Sequence, residues 1–276
     1  MKMPELPEVE SIVNGLKKLI IGSEIKYTII REKKIIGFPR PEKFKNESQG
    51  KKVININRRG KYILINLDNV KEIVIHLRMT GKLLVLPRGK DYNKHTHIIF
   101  QLTNSRDLRF NNIRKFGRVY LIDKGEYDKA GGLAELGPEP LSDDFTFLDF
   151  VELFEGRTAR IKSLLLNQKF IAGLGNIYTD EALFRAGIHP ARCADTISES
   201  ELLKLYKAIR EILKLGIKYK GTSFSDYVNA LGEAGKFQEK LNVYQKEGEK
   251  CPVCGSIIEK EKLSGRSSHY CPECQK

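Results

Sequence analysis

The apolar pattern of this chain changes period at one point, and that change restricts the folds open to it. Apolar residues alternate in the short runs VINI (53–56), KYILINL (61–67), EIVIHL (72–77), KLLVL (82–86), HIIFQL (97–102) and RVYLI (118–122). Gly, Asn, Asp and Pro bound these runs, so they read as half-buried strands of a sandwich or barrel. An amphipathic stretch, Val9 to Ile20, precedes them and predicts one N-terminal helix. The segment LGPEPLS (136–142) then breaks the pattern, because prolines on both sides of Glu139 disfavour helix and central strand alike. From Thr146 onward the period is helical, in FLDFVELF, RIKSLLLN, NIYTDEALFRAG and SESELLKLYKAIREILKLGIKY. The expected class is α+β and multidomain, with a β domain over 1–135, a helical domain over 136–236 and a cysteine-bearing module over 237–276.

Composition narrows the partners. An apolar content of 41% over 276 residues is enough for a sizeable core and excludes a disordered chain. No stretch approaches the roughly 18 consecutive apolar residues of a spanning helix. The start, MKMPELPEVE, lacks the apolar core of a secretory signal. A soluble, unexported, cytoplasmic protein without membrane association is expected. Lys and Arg outnumber Asp and Glu 48 to 35, for a net charge of +13. Such an excess points to a polyanion such as nucleic acid and argues against an acidic protein as the main partner.

Four of the five cysteines stand at Cys251, Cys254, Cys271 and Cys274, two CxxC pairs with sixteen residues between them. Each pair can close half of a tetrahedron around zinc, with iron or a redox dithiol as the alternatives. Four protein thiolates leave no open position for water, so one structural Zn²⁺ is expected. Arg266, within LSGRSSHYC between the pairs, is either a nucleic-acid contact or a solvated hairpin residue. Cys193 stands alone, and no role follows for it.

Two other places carry chemistry. In LLLNQKFIAGLGNIYTDEALFRAG a helix is expected to end near Asn167, Gly173 and Gly175 permit a tight backbone, and Asn176 is suited to cap the next helix. Amides at such a start can hold a phosphate, although an ordinary capped helical hairpin has the same pattern. At the start of the chain, removal of Met3 would leave Pro4 as a free secondary amine. An α-amino group titrates near 7.7–8.0 and lysine near 10.4, so at pH 7 the neutral, attacking fraction is roughly two orders of magnitude larger for the terminus. Attack at a sugar C1′ gives an iminium, an electron sink for strand cleavage, with Glu5 as a nearby proton-transfer group.

These residues together carry a family resemblance. PELPEVE at the start, RRGKY (58–62), HLRM (76–79), KHTH (94–97), NIRKFG (112–117), LGPEPLS (136–142), GLGNIY (173–178) and the four cysteines resemble, in order, the formamidopyrimidine-DNA glycosylase family. The resemblance covers the chain from Met3 to Lys276. It implies an N-terminal β-sandwich, a helix-two-turns-helix domain ending in a zinc finger, and a monomer holding damaged double-stranded DNA between the two domains. It makes Pro4 the Schiff-base nucleophile, Glu5 its acid/base partner and Glu8 a supporting carboxylate. Lys61 matches the proton donor for β-elimination, and Arg266 the residue of δ-elimination and phosphate contact. His95, Arg114 and Asn176 match DNA-binding positions. Met79, Arg114 and Phe116 match the residues inserted where the damaged nucleotide leaves the stack. The family's lysine after the interdomain linker is sought in EGRTARIK at Arg157 or Arg160. The loop 221–237 resembles the segment covering oxidised purines, which favours base excision of purines over the oxidised pyrimidines of endonuclease VIII.

One departure bears on this mechanism. Met1-Lys2 precede Met3-Pro4, and a chain that keeps them holds Pro4 as an acylated, non-nucleophilic nitrogen. Such a chain would be a non-catalytic DNA-binding zinc protein.

Overall fold

The computed structural model describes residues 3–223, 227–263 and 265–276. They form two compact units, Met1–Glu135 with Tyr219–Lys236, and Leu136–Lys218 with Phe237–Lys276. Met1 and Lys2, and residues 224–226 of the loop matched to the lesion cover, lie outside the described residues.

The first unit opens with helix α1 (Leu6–Ile20). Pro7 suits the first turn, the Glu8 carboxylate accepts the Glu5 amide at 2.9 Å, and Lys17 and Lys18 sit at the negative end of the dipole. Val9, Ile12, Val13, Leu16 and Ile20 fall on one face, and all are buried in the core. After it come β1 (Glu24–Ile30), β2 (Ile36–Phe38), α2 (Pro41–Ser48), β3 (Lys51–Arg59), β4 (Tyr62–Leu67), β5 (Lys71–His76), β6 (Gly81–Pro87), β7 (Thr96–Leu102), β8 (Arg106–Asn112) and β9 (Arg118–Asp123). The hydrogen-bonded order is β2-β9-β5-β4-β3-β1-β7-β8-β6. β1 and β3 meet at two register pairs, Glu24↔Lys52 and Ile25↔Lys51. The strands thus fall into two halves around this short seam. Ile63, Ile65, Ile73 and Ile75 from one half and Leu83, Val85, Ile98 and Phe100 from the other share a single core with α1.

All six alternating runs are strands, but β1, β2, β8 and α2 were not legible. In β8 the reason is chemical. Leu108 and Phe110 enter the core, while Asp107 and Arg109, on the opposite face, are also buried, as an ion pair at 2.9 Å. A strand whose charged residues are buried has no polar-out alternation to read.

Tyr219–Lys236 clusters with the first unit, whereas its position after the helical pattern assigns it to the helical domain. Packing explains the difference. The Ala230 carbonyl accepts the Val85 amide at 2.9 Å, and Ala230 lies in the β-domain core. A Cβ at Gly15 of α1 would come 3.1 Å from that of Ala230, a tight approach that a glycine accommodates without displacement.

The second unit contains α3 (Phe147–Glu152), α4 (Ile161–Leu166), α5 (Asn176–Ala186), α6 (Glu199–Lys218) and the hairpin β10 (Glu259–Leu263) and β11 (Arg266–Tyr270). Thr146 and Asp149 form a reciprocal capping box on α3. Leu202, Leu205, Ile209, Ile212 and Leu213 give α6 a buried stripe. Among the described residues no helix is long and apolar enough to cross a membrane.

Candidate functional site

In the first unit, Pro4 is buried just ahead of α1. Glu5 and Glu8 are 4% and 2% exposed. One Glu8 oxygen accepts the Glu5 amide and the other accepts the Thr222 amide at 2.7 Å, while the Tyr227 hydroxyl donates to the Glu8 carbonyl at 3.1 Å. Burial, then the Glu8 charge, pushes the Tyr227 hydroxyl far above its ordinary range. Glu8 is therefore an anchor between the residue after Pro4 and the 219–236 segment. Two residues along α1, Glu10 pairs with Arg58 at 2.7 Å, and Arg58 donates to the Gly60 carbonyl. This holds the β3–β4 turn against α1 and fixes the approach to Lys61.

Lys61 is 5% exposed, which excludes a solvated strand-edge lysine. Its charge acts on His76, whose ring meets Tyr62 edge-on at 4.5 Å and whose Nδ1 accepts the Arg78 amide at 3.0 Å. Burial first, then Arg78 and Lys61, brings the His76 pKa down to about 3. The ring is neutral at pH 7 and adds no second cation beside Lys61. A folded pKa below the unfolded value of about 6.5 means that the unfolded chain takes up the proton first. Stability is then complete above about pH 6.5 and falls toward pH 3, by up to about 1.4 kcal/mol per unit. The stability advantage of wild type over His76→Gln is expected to shrink by about 2 kcal/mol between pH 7 and pH 5 in denaturant titrations. An advantage independent of pH would mean that His76 takes up its proton as readily in the folded chain as in the unfolded one.

Three residues matched to the vacated base position are brought together at the surface. Arg114 donates to the Met79 sulfur at 3.3 Å and lies 4.7 Å over the Phe116 ring. Phe116 is 51% exposed and Met79 half-buried, so neither is a core residue. The turns that present them are unusual, since Arg78 and Lys115 hold φ of 54° and 56°. His95 is half-buried; its amide donates to the Asn93 side chain at 2.8 Å and its carbonyl accepts from Asn112.

In the second unit α4 ends at Asn167 as expected, but the cap of α5 is Gly175, and Asn176 is the first helical residue. With its backbone already helical, the Asn176 side chain reaches out and donates to the Ser267 carbonyl at 2.8 Å, instead of capping. Lys162 donates to the same carbonyl at 2.8 Å and to Asp180 at 2.6 Å. The second Asp180 oxygen accepts the His269 amide at 3.0 Å. Arg266, the residue before Ser267, is thereby held at the exposed start of β11. Arg157 and Arg160 are both exposed, whereas Lys162, in the same EGRTARIK segment, is 1% exposed. Sequence reasoning missed Lys162, although Ile161 and Leu165 beside it mark the buried helix face. It also missed Glu181, fully buried and accepting the amides of Asn242, Val243 and Tyr244. Adjacent acids such as Asp180 and Glu181 read as solvated unless their partners, about 60 to 90 residues away, are known.

The sulfurs of Cys251, Cys254, Cys271 and Cys274 lie within 4.8 Å of one another, with Cys251–Cys274 at 3.8 Å and Cys254–Cys271 at 3.4 Å. A tetrahedron with zinc–sulfur bonds of about 2.3 Å has edges of about 3.8 Å, so the set fits one zinc ion. The Val253 and Cys274 amides each donate to a ligand sulfur at 3.4 Å. The Ser256 hydroxyl and amide hold the Cys254 thiol down to about 6, which suits a thiolate. Cys193 is exposed and lies outside the cluster.

Known proteins resemble the chain over nearly its whole length. Residues 3–119 match the family model for the formamidopyrimidine-DNA glycosylase N-terminal domain, and 136–228 match its H2TH domain. Residues 248–276 match the zinc finger found in FPG and IleRS. The chain is 46% identical over 274 residues to formamidopyrimidine-DNA glycosylase of Pelotomaculum thermopropionicum, covering 99% of each. A Lactococcus lactis FPG mutant in complex with Fapy-dG containing DNA superposes with a TM-score of 0.92 at 38% identity, covering 99% of this chain and 100% of that one. MutM (FPG) protein from Thermus thermophilus gives 0.88 at 36%, covering 99% and 98%.

Proposed function

The chain belongs to the formamidopyrimidine-DNA glycosylase family, and on that premise we propose that it excises oxidised purines, 8-oxoguanine and formamidopyrimidines, from duplex DNA and then cleaves the strand. It is a zinc-containing DNA glycosylase and lyase of base excision repair. It works as a monomer at the bacterial nucleoid in the cytoplasm.

The observation that carries the reading is the exposed trio Met79, Arg114 and Phe116. A base can be attacked at C1′ after it leaves the stack, at a cost of a few kcal/mol of unstacking and unpairing. An exposed aromatic ring, a thioether and a guanidinium held in mutual contact offset part of that cost by filling the space. The amine of Pro4 then attacks C1′, the base departs protonated, and opening of the sugar leaves an iminium between Pro4 and C1′. Glu5 moves the proton, and Glu8 fixes Glu5 through its amide. Loss of a C2′ proton expels the 3′ phosphate with Lys61 as proton donor, and a second elimination, assisted by Arg266, expels the 5′ phosphate. His95, Asn176, Arg266 and an arginine at 157 or 160 contact the phosphates. The four thiolates fill the coordination of zinc, so the metal holds the finger and takes no part in these steps.

Single-turnover excision is expected to be faster on duplexes with 8-oxoguanine than with thymine glycol, because the loop 221–237 resembles the segment covering oxidised purines. Arg114→Ala is expected to slow lesion excision by about ten- to a hundredfold while changing affinity for undamaged duplex far less. Equal losses on both substrates would reduce Arg114 to a phosphate contact, and a preference for thymine glycol would move the protein to the pyrimidine class.

A further inference from the structure

The buried pair Asp107–Arg109 in β8 has no part in the chemistry above, and its surroundings assign it a task. Asp107 is 0% and Arg109 2% exposed. Two apolar residues at such positions would cost less to bury than an ion pair, which directs attention to what the pair holds. Arg109 directs its guanidinium out of its own strand. Nη1 donates to the Asp91 carbonyl at 3.0 Å, Nη2 to the Lys90 carbonyl at 2.7 Å, and the group lies 4.4 Å over the Tyr92 ring. The Tyr92 hydroxyl returns to Asp107 at 3.3 Å, and Arg88 approaches the other Asp107 oxygen at 3.7 Å. Every one of these partners belongs to the connection between β6 and β7, residues 88–95, which has no regular structure of its own.

That connection carries exposed Lys90 and Lys94, and ends in His95. Its far end is fastened separately, by Arg31 donating to the Asn93 carbonyl at 3.0 Å. Without Arg109 the carbonyls of Lys90 and Asp91 lose their donors, and the first half of the connection is released, leaving the loop fastened toward Asn93. A flexible cation must lose that freedom on meeting a phosphate, whereas a positioned one does not.

We propose that Arg109 is a positioning residue that, with Asp107 and Tyr92, preorganises Lys90, Lys94 and His95 as a phosphate-binding element. The proposal rests on the reading that the chain binds damaged duplex with His95 as a contact. Nothing in it requires Arg109 to touch DNA, since its donors are directed at backbone carbonyls.

The test is duplex affinity measured across salt concentrations for single and combined variants. The triple variant Lys90→Ala, Lys94→Ala, His95→Ala is expected to weaken binding and lower the slope of log affinity against log salt by roughly two. Tyr92→Ala, which leaves the Asp107–Arg109 pair in place, and Arg109→Met are each expected to reproduce more than half of that loss. Combining the triple variant with either is expected to bind within about twofold of the triple variant alone, because both changes remove the same phosphate interactions. Tyr92→Phe keeps the ring over the guanidinium but loses the hydroxyl bond to Asp107, and is expected to cost less affinity than Tyr92→Ala. If Arg109→Met does not fold, Tyr92→Ala decides alone. Additive losses, or a salt slope unchanged by Tyr92→Ala, would overturn the positioning role while leaving the enzyme reading intact. A triple variant with wild-type affinity would overturn the element itself. A wild type that neither binds nor incises lesion duplex would overturn the proposed function instead.

Discussion

Borohydride added while the protein turns over an 8-oxoguanine duplex is expected to trap a covalent protein–DNA adduct, and peptide mapping is expected to place it on an N-terminal Pro4. The expectation follows from valence. A terminal prolyl nitrogen is a secondary amine, and its addition to C1′ gives a cationic iminium that hydride reduces to a stable tertiary amine. A nitrogen acylated by Met3 is an amide with no available lone pair. A chain that retains Met1-Lys2-Met3 is therefore expected to fold and to bind duplex, since the helix, the sheets and the phosphate contacts do not involve the amine. It is expected neither to trap nor to incise. Equal trapping by the extended form, or an adduct mapping to Lys61, would end the prolyl mechanism. Glu8→Gln refines the test. Its carboxylate accepts two amides, from Glu5 and Thr222, and the amide side chain has a single acceptor oxygen. Trapping by that variant is expected to be slow but still to map to Pro4.

How much of this was legible in the sequence depended on where each partner lay. Elements that satisfy themselves locally were readable. The six alternating strands, the apolar face of α1 and the paired CxxC motifs each carry their signal within a few residues. The exposed trio was readable by resemblance alone, since Met79 and Phe116 look like core residues by residue type and only the turns at Arg78 and Lys115 turn them outward. Features satisfied at long range were hidden. Lys162, Asp180 and Ser267 converge from three segments, and Glu181 meets Asn242 sixty-one residues on. Asp107 and Arg109 disguised a strand for the same reason, because their partners lie in another loop. The 219–236 segment looked like the end of the helical part, and its place in the first unit depends on Ala230 packing beside Gly15, two residues more than two hundred positions apart.

The finger offers the second large effect, because its own small core includes zinc ligands. Its core joins Cys251 and Cys271 with Val243, Ile258 and Phe184, so two of the five buried residues are themselves zinc ligands. β10 and β11 form a two-stranded ladder that joins no larger sheet and is tied to α4 and α5 through Ser267 and His269. Zinc binding to such modules contributes on the order of 10 kcal/mol, larger than a core of this size can supply. Cys254→Ser is expected to abolish zinc binding, and the ladder is expected to melt with it. Ser267 then no longer presents its carbonyl to Lys162 and Asn176, and Arg266 loses its place at the start of β11. Duplex affinity is expected to fall by more than about tenfold, with a salt slope lower by about one for each phosphate no longer neutralised. The first unit has its own core, so its unfolding transition is expected to move little. Cys193→Ser serves as the control, and one zinc per chain is expected in that variant as in wild type. Metal analysis that finds no zinc in wild type, or a Cys254→Ser protein that binds duplex normally, would separate the finger from DNA recognition and leave Arg266 as a solvated hairpin residue.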